Sequence, residues 1–211
     1  MAVGLKAGAA VQTPPMGASY LWGLPQMPDF LEYPFFKSKT FEPYPLFFVG
    51  QVACAEAAPF DRTGLLPDKG FLWFFADLDY YMGYTEDTER RPGRWDRKAV
   101  QVLYSHVSRE ELSHEFLTFP AETDMMPPEA RLLSFGEVPD DAPGAKLLGV
   151  ASDPEAAAAF AGDGADGPWQ LLLQLPADED LDAGFCFFVE RAALADRKFR
   201  RAEGFLVKKF D

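Results

Sequence analysis

The sequence predicts an α+β fold that is mostly β, with antiparallel sheets, few short helices and a β-hairpin unit used twice. Apolar runs of five to seven residues recur, rich in aromatics and bounded by Pro and Gly, which favours strands over helices. Pro and Gly, 18 and 17 of 211 residues, interrupt nearly every stretch long enough for a helix. An apolar run holding a Gln, a loop, then a Gly-led aromatic run occurs in each half. Residues 47–52 (FFVGQV) precede 70–75 (GFLWFF), and residues 171–175 (LLLQL) precede 184–189 (GFCFFV). Each would be a hairpin pair, and neither carries enough strands to stand alone.

From the start of the chain, residues 1–19 read as a partly ordered leader. They are rich in Ala and Gly, carry one charge, Lys6, and are interrupted by Gln12, Thr13, Pro14 and Pro15, unlike a signal peptide. Residues 20–211 read as one domain with halves at 20–118 and 145–211. Prolines at 25, 28, 34, 43 and 45 forbid a long helix or a central strand, yet the segment is too apolar for a solvated linker. It should pack on the domain with Trp22, Phe30, Tyr33 and Phe35 facing inward. Strands are expected at Leu46–Val52 and, after a turn at residues 66–70, at Phe71–Ala76. Residues 85–98 read as an exposed loop and Val100–Tyr104 as a third strand. Ser108 and Glu111 form a capping-box pattern that predicts a helix over 108–117. Residues 120–144 read as irregular, with one helical turn at 129–133. Ser152, Pro154 and Glu155 open a helix through Phe160, stopped by Gly162 and Gly164. Trp169–Leu175 and Phe185–Glu190 are strands, and residues 205–207 a last edge strand.

The formal charge of −13 argues against nucleic acid as the main partner, which needs a basic surface. No run of about 20 apolar residues exists to span a membrane. Cys54 and Cys186 sit in apolar runs and read as buried, reduced thiols, which suits a cytoplasmic protein. The charge is also uneven. Residues 137–190 hold twelve acids against one base, Lys146, whereas Arg197, Lys198, Arg200, Arg201, Lys208 and Lys209 make a basic tail. The tail either neutralises that acidic region or meets an anionic partner.

Few residues form a chemical constellation. Gln51 and Gln174 either enter a ligand pocket between the halves, with Trp22, Trp73 and Trp169, or satisfy buried backbone groups at strand ends. Asp178, Asp180 and Asp182 alternate along a loop and are the candidate ligands for Ca²⁺. The commoner reading is a solvated acidic turn, since an EF-hand needs Gly where Ala183 stands and Glu where Val189 stands. Asp77 and Asp79 share one side of a strand end, and pair or simply enter water. His106 and His114 bracket the expected helix with no nucleophile placed beside them. No catalytic residue or cofactor is predicted.

Residues 23–28 (GLPQMP), the apolar strand with Gln51, and residues 66–70 (LPDKG) leading into an aromatic strand resemble the YwqG-like family of uncharacterised bacterial proteins. The second Gln strand, the acidic loop, Gly184–Val189, Leu194 and Phe199 extend the resemblance over about residues 20–200. The Trp of the family's Trp-Gly-Asp-x-Gly element is missing before Asp182 and Gly184. The resemblance implies an α+β fold with internal duplication and supplies no catalytic residues. The function expected is a non-catalytic binding or protein-interaction module. The alternative is a small-molecule-binding protein or enzyme with its pocket between the halves.

Overall fold

The structure, a computed structural model, describes residues 1–37, 42–82, 91–113, 128–161, 167–177, 181 and 183–207. Along the chain its strands are β1 (Ala2–Val11), β2 (Tyr20–Leu21), β3 (Phe35–Phe36), β4 (Tyr44–Pro45), β5 (Phe47–Ala53), β6 (Phe71–Ala76), β7 (Gly93–Trp95), β8 (Val100–Ser105), β9 (Ala130–Val138), β10 (Lys146–Leu147), β11 (Trp169–Leu175), β12 (Phe185–Glu190) and β13 (Glu203–Leu206). Short helices are α1 (Cys54–Ala57), α2 (Pro154–Ala161) and α3 (Arg191–Ala195). Eleven strands form one antiparallel sheet in the order β7-β13-β12-β11-β10-β1-β9-β2-β5-β6-β8, and β3 pairs with β4 apart from it. The two edge strands, β7 and β8, are joined by residues 96–99 alone, and β8 also approaches β13, so the sheet curls until its edges nearly meet.

Three apolar clusters follow from this curling. β6 sends Leu72, Phe74 and Ala76 inward, and β12 sends Phe185, Phe187 and Val189 to meet them. Phe74 and Phe187 touch edge to face at 5.3 Å, so the two hairpins share one central core. The outer face of β5–β6 carries Phe48, Phe71, Trp73 and Phe75, covered by the proline-rich segment through Met27, Leu31, Tyr33 and Leu46. The outer face of β11–β12 carries Leu171, Cys186 and Phe188, covered by α2 through Ala156 and Phe160. Both faces of β6 and β12 are buried, which is why these strands read as continuous apolar runs.

Two stretches adopt matching local geometry. The two-residue strands β2 and β10 each end in a left-handed pair, Trp22 and Gly23 at φ 62° and 73°, and Leu148 and Gly149 at φ 62° and 77°. Trp22 N donates to Val49 O at 3.1 Å and Leu148 N to Leu172 O at 3.3 Å. Val49 and Leu172 are the bulged residues of their hairpins, where the ladder skips one position. Each bulge lies two residues before a Gln: Gln51 faces Tyr20 and Trp73, and Gln174 faces Lys146 and Cys186. The sequences 21–28 (LWGLPQMP) and 147–154 (LLGVASDP) agree only at Leu, Gly and Pro.

Several expectations need correction. Residues 2–11, within the stretch read as a partly ordered leader, form β1, which pairs with β9 along almost its whole length and with β10 on its other side. The helical turn expected at 129–133 is instead the start of the nine-residue β9. Residues 93–95, placed in a loop, are the edge strand β7 paired with β13, so β13 is not itself an edge. Of the helix expected over 108–117, residues 114–117 lie outside the described residues, and 109–111 form one 3₁₀ turn after which Leu112 is extended. There a bridge takes the chain away: Ser113 N donates to Met27 O at 2.9 Å, and Met27 N to Ser113 O at 3.2 Å. Trp22 and Tyr33 do face inward, but Phe30 is 66% exposed and Phe35 38%. Gln26 and Met27, both fully buried, contact the body alongside Trp22 and Tyr33.

Candidate functional site

Gln51 is fully buried, and its amide holds two segments together. Its Oε1 accepts from Gln26 N at 3.0 Å, and its Nε2 donates to Ala18 O at 2.8 Å. Gln26 extends the network: its Oε1 accepts from Gly17 N at 2.7 Å, and its Nε2 donates to Pro14 O at 3.2 Å. Trp73 Nε1 closes it by donating to Gln26 O at 2.8 Å. The polar groups of the proline-rich segment, which no sheet neighbour can reach, are satisfied this way. Gln174 does the same in the other half. Its Oε1 accepts from Ser152 N at 2.9 Å, and its Nε2 lies 3.0–3.3 Å from the carbonyls of Ala142, Pro143 and Gly144. Gln26 and Ser152 occupy equivalent positions, each three residues after the left-handed Gly.

The three tryptophans named with these Gln residues lie in different places. Trp22 is in the central core beside Phe47, and among the described residues its Nε1 is the one buried side-chain N or O without a partner. Trp73 belongs to the outer cluster of β5–β6. Trp169 is half-buried in the outer cluster of β11–β12, under the Arg94 guanidinium at 4.9 Å. Asp178, Asp180 and Asp182 lie outside the described residues, as does His114. Among the described residues no three His, Cys, Asp or Glu converge as metal ligands, and no helix is long and apolar enough to cross a membrane.

Two pockets lie at matching positions. One, of about 490 Å³, is bordered by Pro143, Gln174, Pro176, Gly184, Cys186 and Val207. The other, of about 480 Å³, is bordered by Gly17, Ala53, Gly70, Phe71 and Val107. Gly17 and Pro143 each stand three residues before the first residue of β2 or β10. Ala53 and Pro176 each stand two residues past the Gln. Phe71 and Gly184 each stand two residues before the residue opposite that Gln. Cys186 borders its pocket, whereas Trp73, the residue opposite the other Gln, does not border the second.

Titratable groups are tuned mostly by burial. It pushes the thiols of Cys54 and Cys186 up to about 12, which keeps them protonated and poor nucleophiles. Lys146, absent from the sequence-based candidates although it is the single base in an acidic stretch, is buried. Its Nζ donates to Asp140 O at 2.8 Å and Ala142 O at 2.6 Å, and burial lowers its pKa. At the end of β6, burial and then the Asp77 charge raise the Asp79 carboxyl to about 6. Asp77 is buried and its Oδ2 accepts from Tyr44 OH at 3.0 Å. The basic tail is partly paired within the fold: Arg201 meets Glu190 at 3.1 Å, and Lys198 meets Asp196 at 2.7 Å.

No curated protein matches the chain. Residues 19–144, from just before β2 to just before β10, match a family described as a domain of unknown function, DUF1963. With more than half of its length matched, the chain belongs to the DUF1963 family.

Proposed function

We propose that the protein is a non-catalytic small-molecule-binding module whose two halves descend from one duplicated β unit, each half keeping a pocket. The carrying observation is the matched placement of the two pockets around a Gln, a bulge and a left-handed pair. In this reading Gln174 borders its pocket directly, while Gln51 acts through Gln26 to hold the Gly17 wall of the other. Both volumes suit a small organic ligand. The raised thiol pKa values support binding over thiol catalysis. The reading also takes in the YwqG-like, bacterial and cytoplasmic assignments, and a charge that disfavours nucleic acid.

The test is amide chemical-shift mapping on the full chain, titrated with small aromatic probes. Shifts confined to residues such as Gly70 and Val107, or Gly184 and Val207, support the reading. Featureless titrations, or turnover of a probe, overturn it.

A protein-contact role is the second reading, favoured by Leu24 and Val150, which are 42% and 55% exposed at equivalent points of the two halves. Cross-links to a purified partner that avoid both residues would count against it.

A further inference from the structure

We propose that the pocket at the β6–β8 end, taken as one of the binding sites above, selects small organic anions: a carboxylate or phosphate monoester on an apolar body. Its floor is apolar, made by Ala53, Phe71 and Val107, all buried. Its exposed rim carries Lys69, His106 and Arg109, three hydrogen-bond donors from two separate parts of the chain.

Two glycines bring them together. Gly70, at φ +79°, passes so close to the end of β8 that a Cβ would lie 2.2 Å from Ser105 O and 2.9 Å from His106 Cα. That approach sets Lys69 beside His106. Gly17, at φ +72°, lets the Arg109 side chain lie flat on the backbone, where a Cβ would meet its Cγ and Nε at 2.9 Å. The Gly17 backbone is fixed in turn by Gln26.

Neither Lys69 nor Arg109 sits in an ion pair with a described residue. Elsewhere in this acidic chain Arg62 pairs with Glu137 at 2.6 Å, Arg94 with Glu203 at 2.7 Å, and Arg201 with Glu190 at 3.1 Å, while Arg191 and Arg197 meet backbone carbonyls. Lys69 and Arg109 stand at one pocket, and although the Arg109 charge also helps lower the Glu110 carboxyl, the two cations over an apolar floor offer an external anion charge-assisted donors. The rim has two acids. Glu111 is turned toward Ser108 N, which donates to its Oε2 at 2.8 Å, and Glu56 opposes the cations and weakens the site.

The test uses the full chain with phenyl phosphate, benzoate and the neutral benzyl alcohol, followed by amide shifts and calorimetry. Either anion should shift Gly70 and Val107 amides and bind about tenfold more tightly than benzyl alcohol, the expected size of one charge-assisted hydrogen bond. Comparing phenyl phosphate with benzoate identifies which head group the rim prefers. Lys69→Ala and Arg109→Ala, both at exposed positions, should each weaken the anions about five- to tenfold and leave benzyl alcohol unchanged. Glu56→Gln should strengthen them about two- to threefold. Benzyl alcohol binding here as tightly as the anions overturns the anion assignment and leaves the binding reading standing. The same holds if probes perturb only the Gln174 pocket. Perturbation nowhere overturns both.

Discussion

The β5–β6 hairpin and the β11–β12 hairpin solve the same packing problem with different materials. Both have a bulge two residues before a Gln, both put alternate aromatics into the central core, and both must cover an apolar outer face. The first is covered by a proline-rich segment whose backbone donors and acceptors are only partly taken up by the Met27–Ser113 bridge and the β3–β4 pair. It therefore needs Gln51, Gln26 and Trp73 as a buried polar network. The second is covered by α2, which satisfies its own backbone. There Gln174 has only the 142–144 turn and Ser152 to hold, and it stands at the wall of an open pocket. What the two hairpin regions share is a set of backbone bonds and positive-φ positions, while the side chains around them differ. The irregular cover holds its Gln inside a buried polar network, whereas the helical cover leaves Gln174, itself buried, at a pocket wall.

The comparison can be broken first at the contact that joins the halves. Phe187→Ala deletes the ring that meets Phe74, and should cost about 3–5 kcal/mol. Urea denaturation should still show one transition by fluorescence and circular dichroism alike. Two separated transitions would mean that each half folds alone. Next, Gln51→Ala strands Gln26 N and Ala18 O away from water, and should cost about 3 kcal/mol. Gln174→Ala should cost about 1 kcal/mol, because water can enter its pocket and replace the amide. Equal losses in the two variants would remove the distinction between sealed and wet Gln.

A smaller effect concerns pH. The folded-state pKa of Asp79 is raised to about 6, above the ordinary Asp value of about 4, so between these pH values the folded chain binds more protons than the unfolded chain. This group's contribution is therefore most favourable below about pH 4 and falls as pH rises through 6. Asp79→Asn should stabilise the protein by about 1–2 kcal/mol at pH 7.5 and by much less at pH 4. Thermal melts of the two proteins across that range check both sign and window. The smallest signal is chemical. Both thiols are buried and raised to about 12, but Cys186 borders a pocket, so iodoacetamide should modify Cys186 slowly and Cys54 more slowly still. Peptide mapping of a labelling time course reads the order.

The hairpins were legible because burial on both faces writes a continuous apolar run into β6, β11 and β12, and the observed bounds of all three match those expected from sequence. β1 and β9 were not. β1 is built largely of Ala and Gly, and only its first half is buried, so neither propensity nor alternation marks it. Gly4 is there because a Cβ would strike Val138 Cγ1 at 2.5 Å, a reason visible only across the sheet. The capping box at Ser108 and Glu111 was real as a local signal, but the Met27–Ser113 bridge outcompeted the helix it announced. In the candidate site, the two Gln residues could be picked out as polar residues in apolar strands. The partnership of Lys69, His106 and Arg109 could not, since it depends on how closely Gly70 and Gly17 let distant segments approach.

The central place of β1 has a consequence for biosynthesis. This strand leaves the ribosome well before both of its neighbours, β9 and β10, which lie about 130 residues later. At ordinary elongation rates it waits roughly 6–25 s with its hydrogen-bonding edges open. A Val- and Ile-rich segment in that position would invite pairing with other nascent chains. An Ala- and Gly-rich one attracts little until β9 arrives, so the weak strand character of residues 2–11 keeps the nascent chain from aggregating during that wait.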